Sequence, residues 1–323
     1  MKENINLATT TNITSSYSGI FAQEYIAAAL LSANSLEKGG FTIIPNVKNT
    51  YTISKGATGS LLKNATCDFD AAGSITLTEK VLTVKHLNVN LQVCKQDYID
   101  QWDAASMGYS DHDVLPKNFS DFLLAHVIAD VAASFETLIW SGTSTVAGEI
   151  GGVETEIALD AALPAAQEVG GAAVAVSTII VELRKITAAI PNSLYGNPDL
   201  RIYCSPAIFK AYIGALGGNI ATTGVHAGVD GKGTMWYTNG MVNFDGIPLF
   251  MCNGMTSTVA ICTTKQNLLY VNTVASDLSD VRVIDMSPID GSDNCRIVMK
   301  MGAVASYKFA EDMVTYGISN GAN

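Results

Sequence analysis

The histidines are the first candidates for catalysis or metal binding in this sequence. The 323 residues include four histidines, and none belongs to a recognisable catalytic or metal-binding pattern. His126 and Asp130 are four residues apart, a spacing at which a carboxylate can orient an imidazole on a helix. Asp111, His112 and Asp113 are metal-ligand types, but no second cluster of ligands accompanies them. We expect both groups to be solvated or to face another subunit, and we predict no catalytic residue and no metal site.

Cysteine chemistry is equally poorly supported. The six cysteines form no Cys-x-x-Cys pair and have no histidine at metal-ligand spacing. Isolated cysteines with apolar neighbours, as in Ile261-Cys262 and Met251-Cys252, are usually small buried residues in the reducing cytosol. We therefore predict reduced, structural thiols at Cys67, Cys94, Cys204, Cys252, Cys262 and Cys295.

No glycine-rich pattern in the sequence fits a phosphate-binding loop. Gly231-Lys232-Gly233-Thr234 lacks the spacing of a nucleotide-binding loop and does not join a strand to a helix. The surrounding loop, Gly217–Gly240, is better interpreted as a flexible tip where subunits meet. We predict no cofactor and no enzymatic activity.

The charge of the chain argues against tight nucleic-acid binding. Nineteen Lys and Arg against 30 Asp and Glu leave a net charge of -11, and the sequence contains no basic cluster to neutralise phosphates. Residues 1–100 carry eight Lys, no Arg and eight acids, so the whole negative excess lies in residues 101–323. Charged residues make up only 15% of the chain. An uncharged surface favours subunit contacts, and we expect the neutral N-terminal third to lie across an acidic neighbour.

The sequence shows neither a secretory signal nor a membrane span. The first 20 residues are polar, and the longest apolar run, Ile26–Leu31, is far shorter than the roughly 20 residues that a bilayer requires. A hydrophobic content of 48% indicates a folded chain. We expect a protein that is made in the cytosol and has no membrane partner.

The first hundred residues are predicted to form an arm and a hairpin. A polar arm, residues 1–18, leads into a short helix at Ile20–Ser32. Strands at Phe41–Ile44 and Thr50–Ser54 precede a glycine-bearing loop, and a long strand region follows at Ile75–Cys94. The two strand regions are expected to pair as an extended hairpin. An isolated hairpin is marginally stable in water, so this one needs a partner surface.

A long helix is predicted next. Asn118 is a good N-cap and Gly142 ends the pattern, which defines a helix over Phe119–Ser141. Its apolar residues recur at spacings of three and four, at Leu124, Val127, Ile128, Val131, Phe135 and Leu138.

The second half alternates helices and strands after a weakly structured connection, Thr143–Val176. A helix from Ser177 or Thr178 to Ile190 is ended by Pro191, and Ser205-Pro206 begins another helix. The predicted strands are Leu200–Cys204, Ile247–Cys252, Thr258–Thr263, Leu268–Asn272, Val281–Asp285, Asn294–Tyr307 and Asp312–Tyr316.

Four segments, in this order along the chain, resemble elements of one known family. Residues 130–142 (DVAASFETLIWSG) resemble the end of the family's spine helix and its glycine, and residues 200–209 (LRIYCSPAIF) resemble its strand, Ser-Pro and helix. Residues 246–249 (GIPL), with 267–269 and 281–285, resemble its axial-domain strands, and residues 296–316 resemble its returning peripheral strand. The family is the major capsid proteins of tailed double-stranded DNA bacteriophages, with the Hong Kong ninety-seven type fold.

The resemblance implies an α+β fold in four parts. These are an N-terminal arm (residues 1–40), an extended β-hairpin loop (41–95), a peripheral domain with a long spine helix (96–160 and 286–323), and an axial domain of mixed sheet with flanking helices (161–285).

The resemblance also implies a structural protein. It would assemble with itself, through hexamers and pentamers, into an icosahedral shell that encloses double-stranded DNA without sequence-specific binding. Scaffolding, portal and decoration proteins are further candidate partners, and the expected location is the virion capsid, assembled in the host cytoplasm. Candidate inter-subunit contacts are Lys55, Gly56, Gly59, Lys63 and Lys232.

Two other functions remain as alternatives. An encapsulin-type nanocompartment has the same fold but holds cargo enzymes, so the contents of a shell would distinguish it. An exported β-rich surface or adhesin protein would explain the Thr, Asn and Gly content, but the missing signal and the six cysteines disfavour it.

Overall fold

The structure is a computed structural model of the chain. It describes residues 35–36, 38–59, 62, 67, 73–94, 117–216, 242–273 and 281–321. The predicted N-terminal arm and the helix at Ile20–Ser32 lie outside the described residues, as do Asp111–Asp113, Lys63 and Lys232.

Within these ranges the predicted strands and helices occur in the predicted order, with short additional elements at Val153–Ile157, Glu168–Val169, Val242–Phe244 and Ser287–Asp290. The first two lie in Thr143–Val176, which was predicted to be a weakly structured connection. The helices are α1 (Lys117–Ser141), α2 (Val153–Ile157), α3 (Ile179–Ala188), α4 (Pro206–Leu216) and α5 (Ser287–Asp290). The strands are β1 (Thr42–Ile44), β2 (Thr50–Thr58), β3 (Ile75–Thr83), β4 (Lys85–Cys94), β5 (Glu168–Val169), β6 (Leu200–Cys204), β7 (Val242–Phe244), β8 (Ile247–Met251), β9 (Ala260–Thr264), β10 (Leu268–Asn272), β11 (Val281–Asp285), β12 (Asn294–Tyr307) and β13 (Met313–Tyr316). No helix in the described ranges is long and apolar enough to cross a membrane.

A five-stranded sheet is built around the long strand β12. Strand β4 pairs antiparallel with residues 294–303 of β12, β11 with residues 295–299, and β10 with residues 303–307. Strand β1 then joins β10 in parallel. Since β12 alternates buried and exposed residues between 295 and 300, one face of the sheet is covered there and the other is open.

Helix α1 packs on the covered face of this sheet. The rings of Phe135 and Tyr270 meet edge-on at 6.1 Å, and Ile139 and Trp140 are fully buried in the same core. The helix begins at Lys117, so Asn118 lies inside its first turn and is not the predicted cap. The predicted start of the helix is off by two residues, because a sequence pattern defines helix boundaries less well than helix interiors.

Glycine at the end of α1 permits a close backbone crossing. The chain returns past the helix end so tightly that a Cβ on Gly142 would lie 2.5 Å from the carbonyl oxygen of Ile150. A Cβ on Gly152 would meet the carbonyl oxygen of Trp140 at the same distance. The predicted helix stop at Gly142 is therefore confirmed, and it has a packing role as well.

A six-stranded mixed sheet forms the centre of a second core. Its order is β5-β13-β9-β6-β8-β7, and α3 and α4 supply the apolar residues that cover it. The chain passes directly from one sheet to the other between β9 and β10 and again between β12 and β13. The two sheets are therefore closely joined, and the core under α1 includes residues of both, such as Tyr203 and Tyr270.

The hairpin differs from its predicted form. Strand β2 pairs with β3 alone, from Thr50 opposite Thr83 to Thr58 opposite Ile75. The predicted single strand region over residues 75–94 is wrong, because it divides at Val84, whose backbone N–H donates to the carbonyl oxygen of Asn49. Beyond that point β4 pairs with β12 in the five-stranded sheet.

Replacing Phe135 by Asp should destabilise the protein by about 3 kcal/mol or more, because it removes an aromatic contact and places a charge against the core. The neighbouring Ser134 is exposed, so Ser134→Asp adds the same charge without this cost and serves as the control. Urea denaturation measures both free energies of unfolding. Equal stabilities for the two variants would contradict the packing of α1.

Candidate functional site

The described residues contain no constellation for catalysis by a metal or a thiolate. No group of three or more His, Cys, Asp and Glu in those ranges is placed to hold a metal ion. Asp130 lies exposed on α1, and the side chain of its predicted partner His126 lies outside the description. The structure therefore does not test whether His126 and Asp130 interact.

Burial was predicted for all six cysteines, and the structure buries four of them. Cys204, Cys252, Cys262 and Cys295 are buried, and all six described thiols are free. Burial raises the pKa of the Cys204 and Cys262 thiols to about 12. These two thiols therefore remain protonated at neutral pH and are poor nucleophiles. Cys67 is exposed and Cys94 is half-buried.

The hairpin β2–β3 is the element whose two faces differ most. Its inner face packs on the body of the protein through a small apolar cluster. Leu82 and Val84 are buried against strand residues of the five-stranded sheet, with Tyr51 and Ile53 packed beside them. The sheet residues of this cluster are Leu269, Val271 and Val304. The hairpin is thus held by its base, where apolar area is removed from water.

A half-buried polar cluster continues the inner face of the hairpin. The ammonium of Lys80 lies 3.4 Å from the centre of the Tyr307 ring and 3.8 Å from a carboxylate oxygen of Glu156. Ser306 donates its hydroxyl to Glu156, and the Tyr307 hydroxyl donates to Asp160. The cation is therefore held by an aromatic face and the carboxylate of Glu156.

Burial perturbs the titration of this cluster. Desolvation lowers the pKa of Lys80, although Glu156 and Asp160 act in the opposite direction. Desolvation raises the pKa of Glu156, and the hydroxyl of Ser306 and the charge of Lys80 only partly offset it. The cluster is thus a costly arrangement that depends on both partners remaining in place.

Farther along the hairpin, Lys55 contacts the segment that follows β12. Its ammonium lies 2.6 Å from a carboxylate oxygen of Glu311 and 5.0 Å from the centre of the Phe309 ring. A groove of about 930 Å³ separates this part of the hairpin from the body. The predicted strand ends at Ser54, which would put Lys55 in the glycine-bearing loop, whereas the structure has Lys55 within β2 and paired with an acid of its own chain. Its contact with a neighbouring copy stays a prediction.

The outer face of the hairpin is apolar and has no cover within the described chain. Ile75, Leu77 and Val81 alternate along β3 and are 71%, 72% and 56% exposed. Their partners on β2 are short polar residues or glycine, so nothing on the hairpin shields them. Exposed apolar rows of this kind mark surfaces that other chains cover.

The remaining predicted contact residues lie near the same surface or outside the description. Gly56 is opposite Leu77 in the strand pair and is exposed. Gly59 donates its backbone N–H to the carbonyl oxygen of Ser74, next to the last strand pair of the hairpin, Thr58 with Ile75. Lys63 and Lys232 lie outside the described residues. A contact role for these residues stays a prediction.

A second polar cluster, which is fully buried, fixes the first described residue of the chain. Glu136 of α1 accepts hydrogen bonds from the backbone N–H and the hydroxyl of Ser35, and the indole N–H of Trp140 donates to the same hydroxyl at 2.9 Å. Burial raises the pKa of Glu136, because the hydrogen bonds only partly offset its desolvation. Glu154 is buried likewise, with a raised pKa, against Thr256. Ser35 is therefore anchored to the long helix.

Sequence reasoning missed Lys80, Glu136 and Glu156. Lys80 could have been found, since it alternates with Leu82 on the buried face of a strand. Glu136 carries no such signal, because only the distant Ser35 explains its burial.

Comparison with known proteins identifies the fold. No protein-family model and no curated protein matches the sequence. The capsid of a native GTA particle matches the structure with a TM-score of 0.57, at 12% identity, over 95% of this chain and 93% of that chain. The capsid of cyanophage P-SCSP1u matches with a TM-score of 0.53, at 10% identity, over 95% and 90%.

A third structure agrees with these two. The procapsid of satellite phage P4 matches with a TM-score of 0.52, at 12% identity, over 91% of this chain and 98% of that chain. The chain therefore has the α+β fold of tailed-phage capsid proteins, and the predicted Hong Kong ninety-seven type fold is confirmed.

The raised pKa values predict an unusual dependence of stability on pH. A carboxyl group with a higher pKa in the folded state holds its proton more tightly there than in the unfolded chain. The contributions of Glu136, Glu154 and Glu156 are therefore most favourable below their ordinary pKa of 4.5 and decline as the pH rises through the window above it.

We expect the melting temperature to be higher at about pH 5 than at about pH 8 for this reason. The variants Glu136→Gln and Glu154→Gln should each flatten this slope, whereas Glu79→Gln, which removes an exposed carboxylate, should not. Lys80 acts with the opposite sign and only toward alkaline pH, since its pKa falls from 10.5. A melting temperature that rises steadily from acid to neutral pH would refute this expectation.

The contact between Lys55 and Glu311 should make a small, measurable contribution to stability. Lys55→Glu is expected to cost about 0.2–1 kcal/mol, because partly exposed ion pairs are worth no more. Combining it with Glu311→Lys should recover most of the loss. A double-mutant cycle by urea denaturation gives the coupling energy, and a coupling of zero would show that the pair does not hold the hairpin.

Proposed function

We propose that the chain is a major capsid protein that assembles with itself into a closed icosahedral shell around double-stranded DNA. The observation that carries this proposal is the fold match to capsid chains. The match extends over nearly all of this chain and nearly all of each matched capsid chain. The uncovered apolar face of the hairpin supports it, because a monomer in water gains nothing from such a surface.

The division of labour within the chain follows from the same proposal. Residues 1–40 serve as an arm, 41–95 as the extended loop, 96–160 with 286–323 as the peripheral domain, and 161–285 as the axial domain. Axial domains meet around the five-fold and six-fold axes of pentamers and hexamers, while arm and loop reach over neighbours. Of the loop, β2 and β3 form the hairpin, and β1 and β4 anchor it in the five-stranded sheet.

The proposed shell needs no chemistry of its own. The protein acts as a structural component rather than an enzyme, located in the virion capsid after assembly in the host cytoplasm. A net charge of -11 suits a container that encloses DNA without binding it tightly, because like charges keep the genome mobile. Scaffolding, portal and decoration proteins are the further partners that such a shell would use.

Purified protein, with and without a co-expressed scaffold, should form closed shells or capsomers. Sedimentation velocity resolves these from monomer, and electron microscopy gives their shape. Shells that contain DNA in infected cells support the capsid function, whereas shells filled with a cargo enzyme indicate a nanocompartment. A protein that remains monomeric under all of these conditions would contradict the proposal.

A further inference from the structure

Strand β12 contains a glycine whose backbone conformation does not require glycine. Gly302 pairs with His86 of β4, and the register runs without a bulge from Asn294 opposite Cys94 to Ala303 opposite Lys85. The backbone at Gly302 is not left-handed, so other residues could adopt it. Glycine inside a strand costs stability and often marks a place where another group approaches closely. The reason for Gly302 therefore lies in what stands above the sheet at this point.

Two side chains from opposite sides of β12 converge over Gly302. His86 approaches from β4, and Thr273, the residue after β10, approaches from the other side and donates its backbone N–H to the carbonyl oxygen of Gly302 at 3.0 Å. The two strands that flank β12 lie about 9.5 Å apart, twice the spacing of neighbouring strands. A Cβ on Gly302 would nevertheless lie 2.9 Å from Nδ1 of His86 and would collide with the methyl group of Thr273. Glycine thus allows the imidazole and the threonine to come together above the strand between them.

The next pair along the ladder adds a cation and an amide on the same face. Lys300 lies opposite Asn88, two residues from Gly302, and side chains two residues apart share a face. Lys300 is exposed and forms no ion pair with any described residue. Met301, between Lys300 and Gly302, belongs to the core under α1, so this group lies on the side of the sheet opposite α1. A cavity of about 340 Å³ is lined by four polar side chains, His86, Asn88, Thr273 and Lys300.

The lining of this cavity suits a small oxyanion. It offers an ammonium, an amide, a hydroxyl and an imidazole, and the described residues that form it include no Asp or Glu. Hydrogen bonds between a charged donor and an anion are shorter and stronger than neutral ones. The volume lies at the lower end of the range for small-molecule sites. In a chain with a net charge of -11, a cation in surroundings without carboxylates is available to an anion from solution.

A single cation in a concave site favours a terminal phosphate over a nucleic-acid backbone. The free oxygens of a terminal phosphate can enter the cavity together, whereas a backbone phosphodiester is linked to the chain on both sides. Tight binding of a backbone also requires several cations along its path. The next cation of β12, Arg296, lies about 13 Å from Lys300 along the strand. It donates a hydrogen bond to the amide oxygen of Gln92 at 3.0 Å and takes no part in the cavity.

We propose that the cavity between His86, Thr273 and Lys300 binds a phosphate group with a free terminus, as in inorganic phosphate or a phosphate monoester. Lys300 supplies the positive charge, and Asn88 and Thr273 donate hydrogen bonds to the phosphate oxygens. A bound phosphate connects β4, β12 and the end of β10 from outside the sheet. It therefore stabilises the sheet close to the base of the hairpin. This site does not depend on assembly into a shell.

Chemical modification tests the site on the unaltered full-length chain. Diethyl pyrocarbonate adds a carbethoxy group to an exposed imidazole nitrogen, and His86 is exposed. Its rate of modification, followed by peptide mass spectrometry, should fall several-fold and saturably as inorganic phosphate replaces chloride at constant ionic strength. Glycerol 3-phosphate is titrated in parallel, which distinguishes a phosphate ester from the free ion as the preferred ligand. If neither compound protects His86, or if protection does not saturate, the proposal is wrong.

Substitutions give a second, independent test. Lys300→Gln removes the charge and Gly302→Ala forces His86 and Thr273 apart, so each should raise the half-saturating phosphate concentration about tenfold or more. Arg296→Gln removes a cation from the same face of the same strand outside the cavity, and it should change that concentration less than about twofold. Circular dichroism without phosphate checks that each variant is folded. If the added methyl group of Gly302→Ala prevents folding, Thr273→Val, which replaces only the hydroxyl, takes its place and should also weaken binding.

The outcomes separate a phosphate site from a general attraction of anions. Protection of His86 by a short DNA duplex without terminal phosphates, at a lower phosphate concentration than the free ion needs, assigns the face to nucleic acid and overturns the proposal. Equal losses in Lys300→Gln and Arg296→Gln indicate diffuse electrostatic attraction and overturn it as well. A saturable site that Lys300→Gln and Gly302→Ala both weaken supports the proposal whether or not shells form, so the proposed function is tested separately.

Discussion

The register of strand β12 is the constraint on which the rest of the structure depends. Its fourteen residues pair with β4, β10 and β11, and six residues later the chain is already part of the second sheet. Met299 and Met301 belong to the core under α1 and Ile297 is buried, while Arg296, Val298 and Lys300 face outward. A slip of one residue would exchange these two sets, placing charges in the core and apolar groups in water.

The hairpin inherits its orientation from that register. Val84 and Leu82 bind the sheet next to Val304, so the inner face of the hairpin is turned toward the end of β12. Lys80 can reach Tyr307 and Glu156 only from this position. The inner face is thereby packed against its own chain, while the apolar outer face stays exposed. A two-stranded sheet with one uncovered apolar face is only marginally stable by itself. Assembly, which covers that face, should therefore also stabilise the conformation of the hairpin.

Residues with local signals were predictable from the sequence, and residues defined by distant contacts were not. The spacing of Val131, Phe135 and Leu138 located α1, and Gly142 located its end, because helix periodicity and helix termination are local properties. The break at Val84 was missed because no glycine or proline interrupts residues 75–94, and only the distant strand β12 decides where the second half pairs. Glu136 was missed because its partner Ser35 is 101 residues away.

The most direct measurement of the central claim is an electron cryomicroscopy reconstruction of the assembled protein at side-chain resolution. The account predicts that Ile75, Leu77 and Val81 are covered by a neighbouring copy, while Lys80 keeps its contact with Tyr307 of its own chain. An assembly in which this apolar row faces solvent, with the hairpin contacting only its own subunit, would contradict the account.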